Sequence, residues 1–222
     1  MSSTLRKNNV CAVIPFYNEE RTLNEVIEKT LNFVDLIICI DDGSTDDSAN
    51  KIKSNEKVII LKNDMNRGKG YSLKKGFEKS IELNTNYTVT LDADLQHPPE
   101  FIPSFIEELK SSDVVIGNRL NDLSSMPFQR ILSNTITSGL LSIKTKRKIL
   151  DSQCGYRGFR TQVLKFILPS YNGYEAESEM LVKAARNKLR ISFVNIPTIY
   201  GMEKSKMRPL QAIKGFIRVF LS

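Results

Sequence analysis

In YTVTLDADLQHPPE (residues 87–100) an apolar, β-branched run stops at two aspartates spaced i and i+2. Tyr87 to Leu91 reads as a buried strand and Asp92-Ala93-Asp94 as its broken end. Pro98-Pro99 opens a helix from Glu100 to Lys110. The pattern repeats on both sides. Val10 to Phe16 (VCAVIPF), Leu36 to Ile40 (LIICI), Val58 to Leu61 (VIIL) and Asp113 to Gly117 (DVVIG) are further apolar runs of strand length. Between them, helical spacing runs through Leu23, Val26, Ile27 and Leu31 in 18–33, and again from Tyr71 to Leu83. A capped helix is expected at Ser48 to Ser54 behind the turn Asp41 to Asp46. Strands alternating with helices predict an α/β fold, a mostly parallel central sheet flanked by helices. Ligands of such sheets sit outside the carboxyl ends of the strands, where the polar clusters after strands one, two and four all fall.

Beyond residue 118 the pattern loosens. Helices are expected at Phe128 to Leu141 and Tyr174 to Lys188, and a strand at Ile191 to Ile196. No repeat or linker divides the chain, so its 222 residues are read as a single domain. With 41% hydrophobic and 26% charged residues, disorder, collagen and a disulfide scaffold are excluded. The uncharged run 131–143 is too short and too polar to span a bilayer, and residues 1–10 lack the apolar core of a signal peptide. Cys11, Cys39 and Cys154 form no CxxC spacing, and a reducing, cytoplasmic setting is expected. The net charge of +7 is uneven: residues 1–118 carry 14 basic and 19 acidic side chains, residues 119–160 carry 8 and 2. An acidic half followed by a basic one suggests a cation site and then an anion-binding surface, for nucleic acid, anionic lipid or a phosphorylated substrate.

Asp92 and Asp94 point the same way if the chain stays extended, and would offer hard oxygens to Mg²⁺ or Mn²⁺. An ordinary acidic turn accounts for them equally well. Gln96 and His97 continue the loop, with His97 read as a surface residue of the turn. Asp41-Asp42-Gly43-Ser44 is a second acidic strand end, suited to a nucleotide base or ribose, or else to a helix cap. Asn66-Arg67-Gly68-Lys69-Gly70 is glycine-rich and basic but matches neither the Walker pattern nor GxGxxG. Gly117-Asn118-Arg119 ends its strand with a guanidinium suited to phosphate.

Taken in order, VIPFYNEE (13–20), DDGSTD (41–46), NRGKG (66–70), LDADLQHPPE (91–100) and GNR (117–119) resemble family 2 glycosyltransferases, which have the GT-A, Rossmann-like fold. The nearer resemblance is to the dolichyl-phosphate and polyprenyl-phosphate sugar synthases, supported by Asp151-Ser152-Gln153-Cys154-Gly155-Tyr156-Arg157. The resemblance implies that Pro15, Tyr17, Asn18 and Glu19 line the nucleotide pocket with Asp42 near the base, joined by Lys69, Asp92, Ala93, Asp94 and the late Lys206. Asp92, Asp94 and Gln96 would hold Mg²⁺ or Mn²⁺ against the donor diphosphate. Arg119, Arg130, Ser133 and Arg157 would hold the acceptor phosphate, with Asp94 and Arg119 as the catalytic pair. Glu203 and Tyr200 stand where the family usually has Gly and Arg near the late Ser-Lys motif.

The implied organisation is a nucleotide-sugar and metal half (1–118), an acceptor half (119–208) and an amphipathic C-terminal helix (209–222). That helix places Leu210, Ile213, Phe216, Ile217 and Phe220 near one face, for a membrane interface or for packing on the core. The implied activity is metal-dependent, inverting hexosyl transfer to dolichyl or polyprenyl phosphate. Mannose from GDP-mannose is the expected donor; UDP-glucose enzymes share the motifs. Peripheral membrane contact, at the cytoplasmic face, and a membrane-protein partner are expected; nucleic acid is not. The alternatives are a family 2 enzyme acting on a hydroxyl acceptor, with Glu175, Glu177 or Glu179 as base or as a helix's polar face; a nucleotidyltransferase; and a basic binding protein.

Overall fold

The computed structural model describes residues 9–123, 126–199 and 209–222. Its strands are β1 (Val10–Phe16), β2 (Leu36–Asp41), β3 (Val58–Lys62), β4 (Tyr87–Thr90), β5 (Val114–Asn118), β6 (Arg157–Arg160) and β7 (Ile191–Asn195). Its helices are α1 (Leu23–Thr30), α2 (Lys69–Glu82), α3 (Ile102–Glu108), α4 (Phe128–Thr145), α5 (Leu164–Ile167), α6 (Glu175–Arg186) and α7 (Pro209–Leu221). The strands form one sheet in the order β3-β2-β1-β4-β6-β5-β7. All pairings are parallel except those of β6, which runs against β4 and β5. Six strands therefore end at one edge, and β6 begins there.

The burial follows from strand position. β1 and β2 are buried nearly throughout, as interior parallel strands covered on both faces must be, whereas β3 and β7 are half-exposed edges. Gly158 and Phe159 of β6 point to opposite faces and identify the two layers. A Cβ on Gly158 would touch Phe105 and Leu109 on the α3 side, while Phe159 meets Phe77 of α2 edge-on at 5.4 Å. The α2 layer lies close: a Cβ on Gly76 would come within 2.5 Å of Val13 Cγ1. That contact explains a glycine in mid-helix despite its entropic cost.

One expectation is corrected. Residues 48–54 form turns, not a helix. The polar groups that would cap a helix are used otherwise: Ser48 Oγ accepts the Glu19 N–H at 2.8 Å, and Asp46 accepts the N–H groups of Ser48 and Glu20. Strand β6 has no signature in the sequence, because RGFR lacks alternation and an apolar run; its neighbours define it. At the C-terminus, α7 packs on α6 and α4 through buried Gly215 and Val219 and leaves Ile213, Ile217 and Leu221 exposed. The side chain of Leu210 lies outside the described residues.

Candidate active site

The acidic loop begins where the β1–β4 ladder stops. Leu91 N–H donates to Val13 O, and the next rung would need an N–H from Pro15, which has none. The chain turns away at Leu91 instead of staying extended, so Asp92 and Asp94 sit in a turn stabilised by Gln96 N–H to Asp94 Oδ1 (3.1 Å). Ala93 is buried and anchors the turn. His97 is also buried, not on the surface. Its Nδ1 accepts the Asp92 N–H at 2.9 Å, so that nitrogen carries the lone pair. Tyr156 lies beside the imidazole, stacks on Phe105 at 4.4 Å and donates its hydroxyl to Pro98 O at 3.1 Å. Burial pulls the His97 pKa down, against the pull of Asp92 and Asp94. His97 is thus a neutral brace for the loop.

Lys69 enters from the first turn of α2. Its Nζ lies 2.6 Å from Asp92 Oδ1 and 2.9 Å from Glu177 Oε1 on α6. The helix start is held by Gly68, at φ +98°, and by Gly70 N–H donating to Asn172 O at 2.7 Å. A Cβ on Gly155 would lie 2.8 Å from Lys69 Nζ and 3.0 Å from both Asp92 Oδ2 and Glu177 Oε1, so glycine there leaves room for the ion cluster. Burial alone would lower the Lys69 pKa, but Asp92 and Glu177 raise it above that of a free lysine. Burial alone would raise Asp92, but the charge and hydrogen bond of Lys69, with the charge of Arg119, hold it down to about 2. Asp94 is raised, by burial and then by the charge of Asp92. Two close carboxylates with unequal pKa values form a hard-oxygen site whose residual repulsion a divalent cation would relieve. The residues present fit Mg²⁺ or Mn²⁺ of the kind completed by substrate phosphates.

At the neighbouring strand ends, Asn18 adopts φ +53°, and its Oδ1 accepts the N–H of Thr45 at 2.8 Å, tying the residue after Tyr17 to the DDGSTD loop. Asp42 is buried and accepts four hydrogen bonds: Asn63 Nδ2 (2.8 Å), Arg67 N–H (3.0 Å), Ser72 Oγ (3.0 Å) and Gly68 N–H (2.8 Å). Three of these bonds fall on Oδ1 and one on Oδ2, so Asp42 shapes the NRGKG loop while Oδ2 keeps an acceptor position.

Across the acidic loop, Arg119 follows β5. Its Nε and Nη2 donate to Asp151 Oδ2 (2.8 Å) and Oδ1 (3.0 Å), and the charge of Arg119 reaches Asp92 and His97. Arg130 is half-exposed on the first turn of α4, and Ser133 is exposed one turn on. Arg157, expected at the same phosphate, is buried. Its guanidinium donates to the carbonyls of Cys154 (2.9 Å), Glu177 (2.7 Å) and Ser152 (2.9 Å), which makes it a brace between β6 and α6. Lys206 lies outside the described residues.

Comparison with known proteins decides the family: the profile of glycosyl transferase family 2 matches residues 11–168. The chain belongs to glycosyl transferase family 2. It is similar to the UDP-N-acetylglucosamine–dolichyl-phosphate N-acetylglucosaminyltransferase of Methanococcus voltae, with 33% identity over 92% of this chain and 90% of the relative. It is also similar to the dolichol-phosphate mannosyltransferase of Pyrococcus furiosus, with 30% identity over 87% of this chain but only 56% of that protein. Among solved structures, glucosyl-3-phosphoglycerate synthase of Mycobacterium tuberculosis, bound to Mn²⁺, UDP-glucose and phosphoglyceric acid, superposes with a TM-score of 0.75. The two share 20% identity over 96% of this chain and 79% of that one. This likeness shows the GT-A fold.

In this transferase the structure brings Asp92, Asp94, Lys69 and Arg119 together at one edge, with further residues beside them. Glu177 lies inward on Lys69 and not on a polar helix face; Glu179 accepts the N–H groups of Ser170 and Tyr171 and pairs with Lys183. Asp151 and Gly155 lie in the DSQCGYR phrase, whose resemblance implies a role for Arg157 alone; their place in that phrase is the signal the sequence carries for them.

Proposed function

We propose that this transferase moves a hexose from a nucleotide sugar to a polyprenyl phosphate, inverting the anomeric carbon, with a divalent cation held by Asp92 and Asp94. The observation that carries the reading is the Arg119 guanidinium, oriented by Asp151 at the edge occupied by the acidic loop and close enough to act on Asp92. Such a guanidinium suits a phosphate acceptor. A phosphate monoester has its second pKa at about 6, so it is largely ionised near neutral pH. Its oxygen forms the bond to C1 while the C1–O bond to the diphosphate breaks, and the electron pair leaves with the nucleoside diphosphate. No proton has to be removed. Asp92 and Asp94, with Gln96 in the same loop, would bind the cation, which neutralises charge on the leaving diphosphate.

Pro15, Tyr17, Asn18, Glu19 and Ala93 would form the donor side, with Asp42 acting from behind through the loop it anchors. Arg119, Arg130 and Ser133 would take the acceptor phosphate, and Lys206 the donor phosphates. Arg157 has its donors committed elsewhere and is assigned to the scaffold. A hydroxyl acceptor would need a base. Glu177 is the candidate that faces inward, but its carboxylate is paired with Lys69, which favours the phosphate reading.

The acceptor would be met at a membrane surface. The α4 helix exposes Phe128 (72%), Leu132 (49%), Ile136 (52%) and Ile143 (74%) along one face, and α7 exposes Ile213, Ile217 and Leu221. Lys144 bridges the two helices by donating to Phe220 O at 2.7 Å. Exposed apolar faces flanked by Lys146, Lys148, Lys214 and Arg218 suit peripheral contact with an anionic bilayer. No described helix is long and apolar enough to cross one.

Transfer to a polyprenyl phosphate from GDP-mannose, UDP-glucose and UDP-N-acetylglucosamine, with and without Mn²⁺ and beside Asp94→Ala, tests the proposal. Metal-dependent lipid product that is lost in the variant is expected. A product with retained anomeric configuration, or transfer only to hydroxyl acceptors, would overturn it.

A further inference from the structure

We propose that Asp151 is a positioning residue that sets the Arg119 guanidinium for the acceptor phosphate. The inference rests on the phosphate-acceptor reading above.

Asp151 is completely buried and accepts five hydrogen bonds. Oδ2 takes Arg119 Nε (2.8 Å) and the Arg119 backbone N–H (3.2 Å). Oδ1 takes Arg119 Nη2 (3.0 Å), Asn134 Nδ2 (2.6 Å) and the Gln153 N–H (3.2 Å). Binding one residue through both its main chain and its side chain removes the rotamer freedom of a long arginine. A guanidinium is a planar fork. Committing its Nε/Nη2 edge to a fixed carboxylate therefore fixes the direction in which the Nη1/Nη2 edge faces. That second edge is the one able to grip a phosphate through parallel N–H donors.

The same carboxylate reaches α4. Asn134 is buried on that helix, next to Ser133 and one turn beyond Arg130. Its amide is oriented, because Nδ2 donates to Asp151 while Oδ1 receives Ser138 Oγ at 3.0 Å. Ser138 Oγ in turn accepts the Ser152 N–H at 2.9 Å. Asn134 thus buttresses from α4 the carboxylate that holds Arg119 at the end of β5. Desolvation would raise the Asp151 pKa, but Arg119 and Asn134 hold it below the usual range, so the group works as a permanent anion. It is fully buried against Arg119, and its effect passes through that residue.

The test is a kinetic cycle with Asp151→Asn, Arg119→Lys and the double variant, using a polyprenyl phosphate as acceptor and the donor sugar accepted by the wild type. Binding of the nucleoside diphosphate with Mn²⁺ is measured in parallel. Asp151→Asn should raise the acceptor KM by about ten- to a hundred-fold, the size of effect known for partners that orient metal-ligating side chains, with nucleotide Kd within about two-fold of wild type. In the Arg119→Lys background, where the fork is already gone, the same change should add less than about two-fold. Independent, multiplicative effects overturn the inference, as does an unchanged acceptor KM. Nucleotide affinity falling in parallel would mean general damage and also overturns it. Should Asp151→Asn not fold, Asn134→Ala replaces it, with a smaller rise in acceptor KM expected, again only when Arg119 is present; no rise refutes the inference. A wild type that transfers sugar to hydroxyl acceptors alone brings down the acceptor reading itself, an outcome seen before any variant is compared.

Discussion

Replacing Lys69 by Met should make the stability of this transferase respond strongly to a divalent cation. The Nζ of Lys69 sits 2.6 Å from Asp92 and 2.9 Å from Glu177, with side-chain exposures of 15%, 31% and 10% for the three groups. Methionine keeps most of the volume and removes the charge, which leaves two carboxylates facing each other around Gly155. Breaking a buried pair by deleting one partner costs about 3–5 kcal/mol. Asp92 retains access to water over nearly a third of its surface, so about 2–3 kcal/mol is expected here. For a chain of this size, at roughly 2–4 °C per kcal/mol, Tm falls by about 4–12 °C. A cation at a hundred times its Kd returns about 2.7 kcal/mol, most of the loss. Mn²⁺ should therefore raise the Tm of Lys69→Met more than that of the wild type, where it must first displace the ammonium from Asp92. Thermal melts by circular dichroism, with and without Mn²⁺, read this directly. Lys74→Met, which loses only an exposed pair with Glu78 at 3.9 Å, is the control and should shift little. Equal melting of Lys69→Met and wild type without metal, or equal Mn²⁺ shifts, would refute the reasoning.

Acid titration separates Asp151 from the surface carboxylates. Its folded pKa is depressed by Arg119 and Asn134. The stability it adds is present above the unfolded value of about 3.9 and is lost as pH falls through the lower folded value. The Tm gap between wild type and Asp151→Asn should accordingly narrow below about pH 4; a gap that widens there contradicts the assignment. Burial pushes the thiols of Cys11, Cys39 and Cys154 up to about 12. None should react with a thiol reagent at neutral pH until denaturant is added, and rapid labelling of the native protein would show the core to be more open. Replacing Phe128 and Ile143 together by Glu should reduce co-sedimentation with anionic vesicles by about ten-fold or more. Ile60→Glu, on the distant edge strand β3, should leave vesicle binding unchanged, and equal losses in both would remove the membrane face.

Much of this was legible in one dimension. The strands β1 to β5 and β7, the helices α1 to α4, α6 and α7, and the acidic and basic clusters at the strand ends all follow from local periodicity and from residues that break it, because the side-chain periods of strand and helix are written directly into the chain. The Asp92–Asp94 pair and the guanidinium of Arg119 could be named for the same reason: carboxylates and guanidinia declare their chemistry without a neighbour. Their partners could not. The short β6 exists only because β4 and β5 flank it, and the burial of His97 depends on Tyr156, which comes from a strand-leading loop far along the chain. Arg157 looked like a ligand by residue type. Tertiary structure turned it inward, where an ionised group is tolerated only when hydrogen-bonded, and its guanidinium went to three main-chain carbonyls. The Lys69–Asp92–Glu177 cluster and the Arg119–Asp151 bond join residues 23 to 108 positions apart. Sequence alone determined which chemical groups this protein owns and the sheet edge at which they gather. Only the folded chain decided which of them face the site and which hold it up, because a charge's role depends on what surrounds it in space.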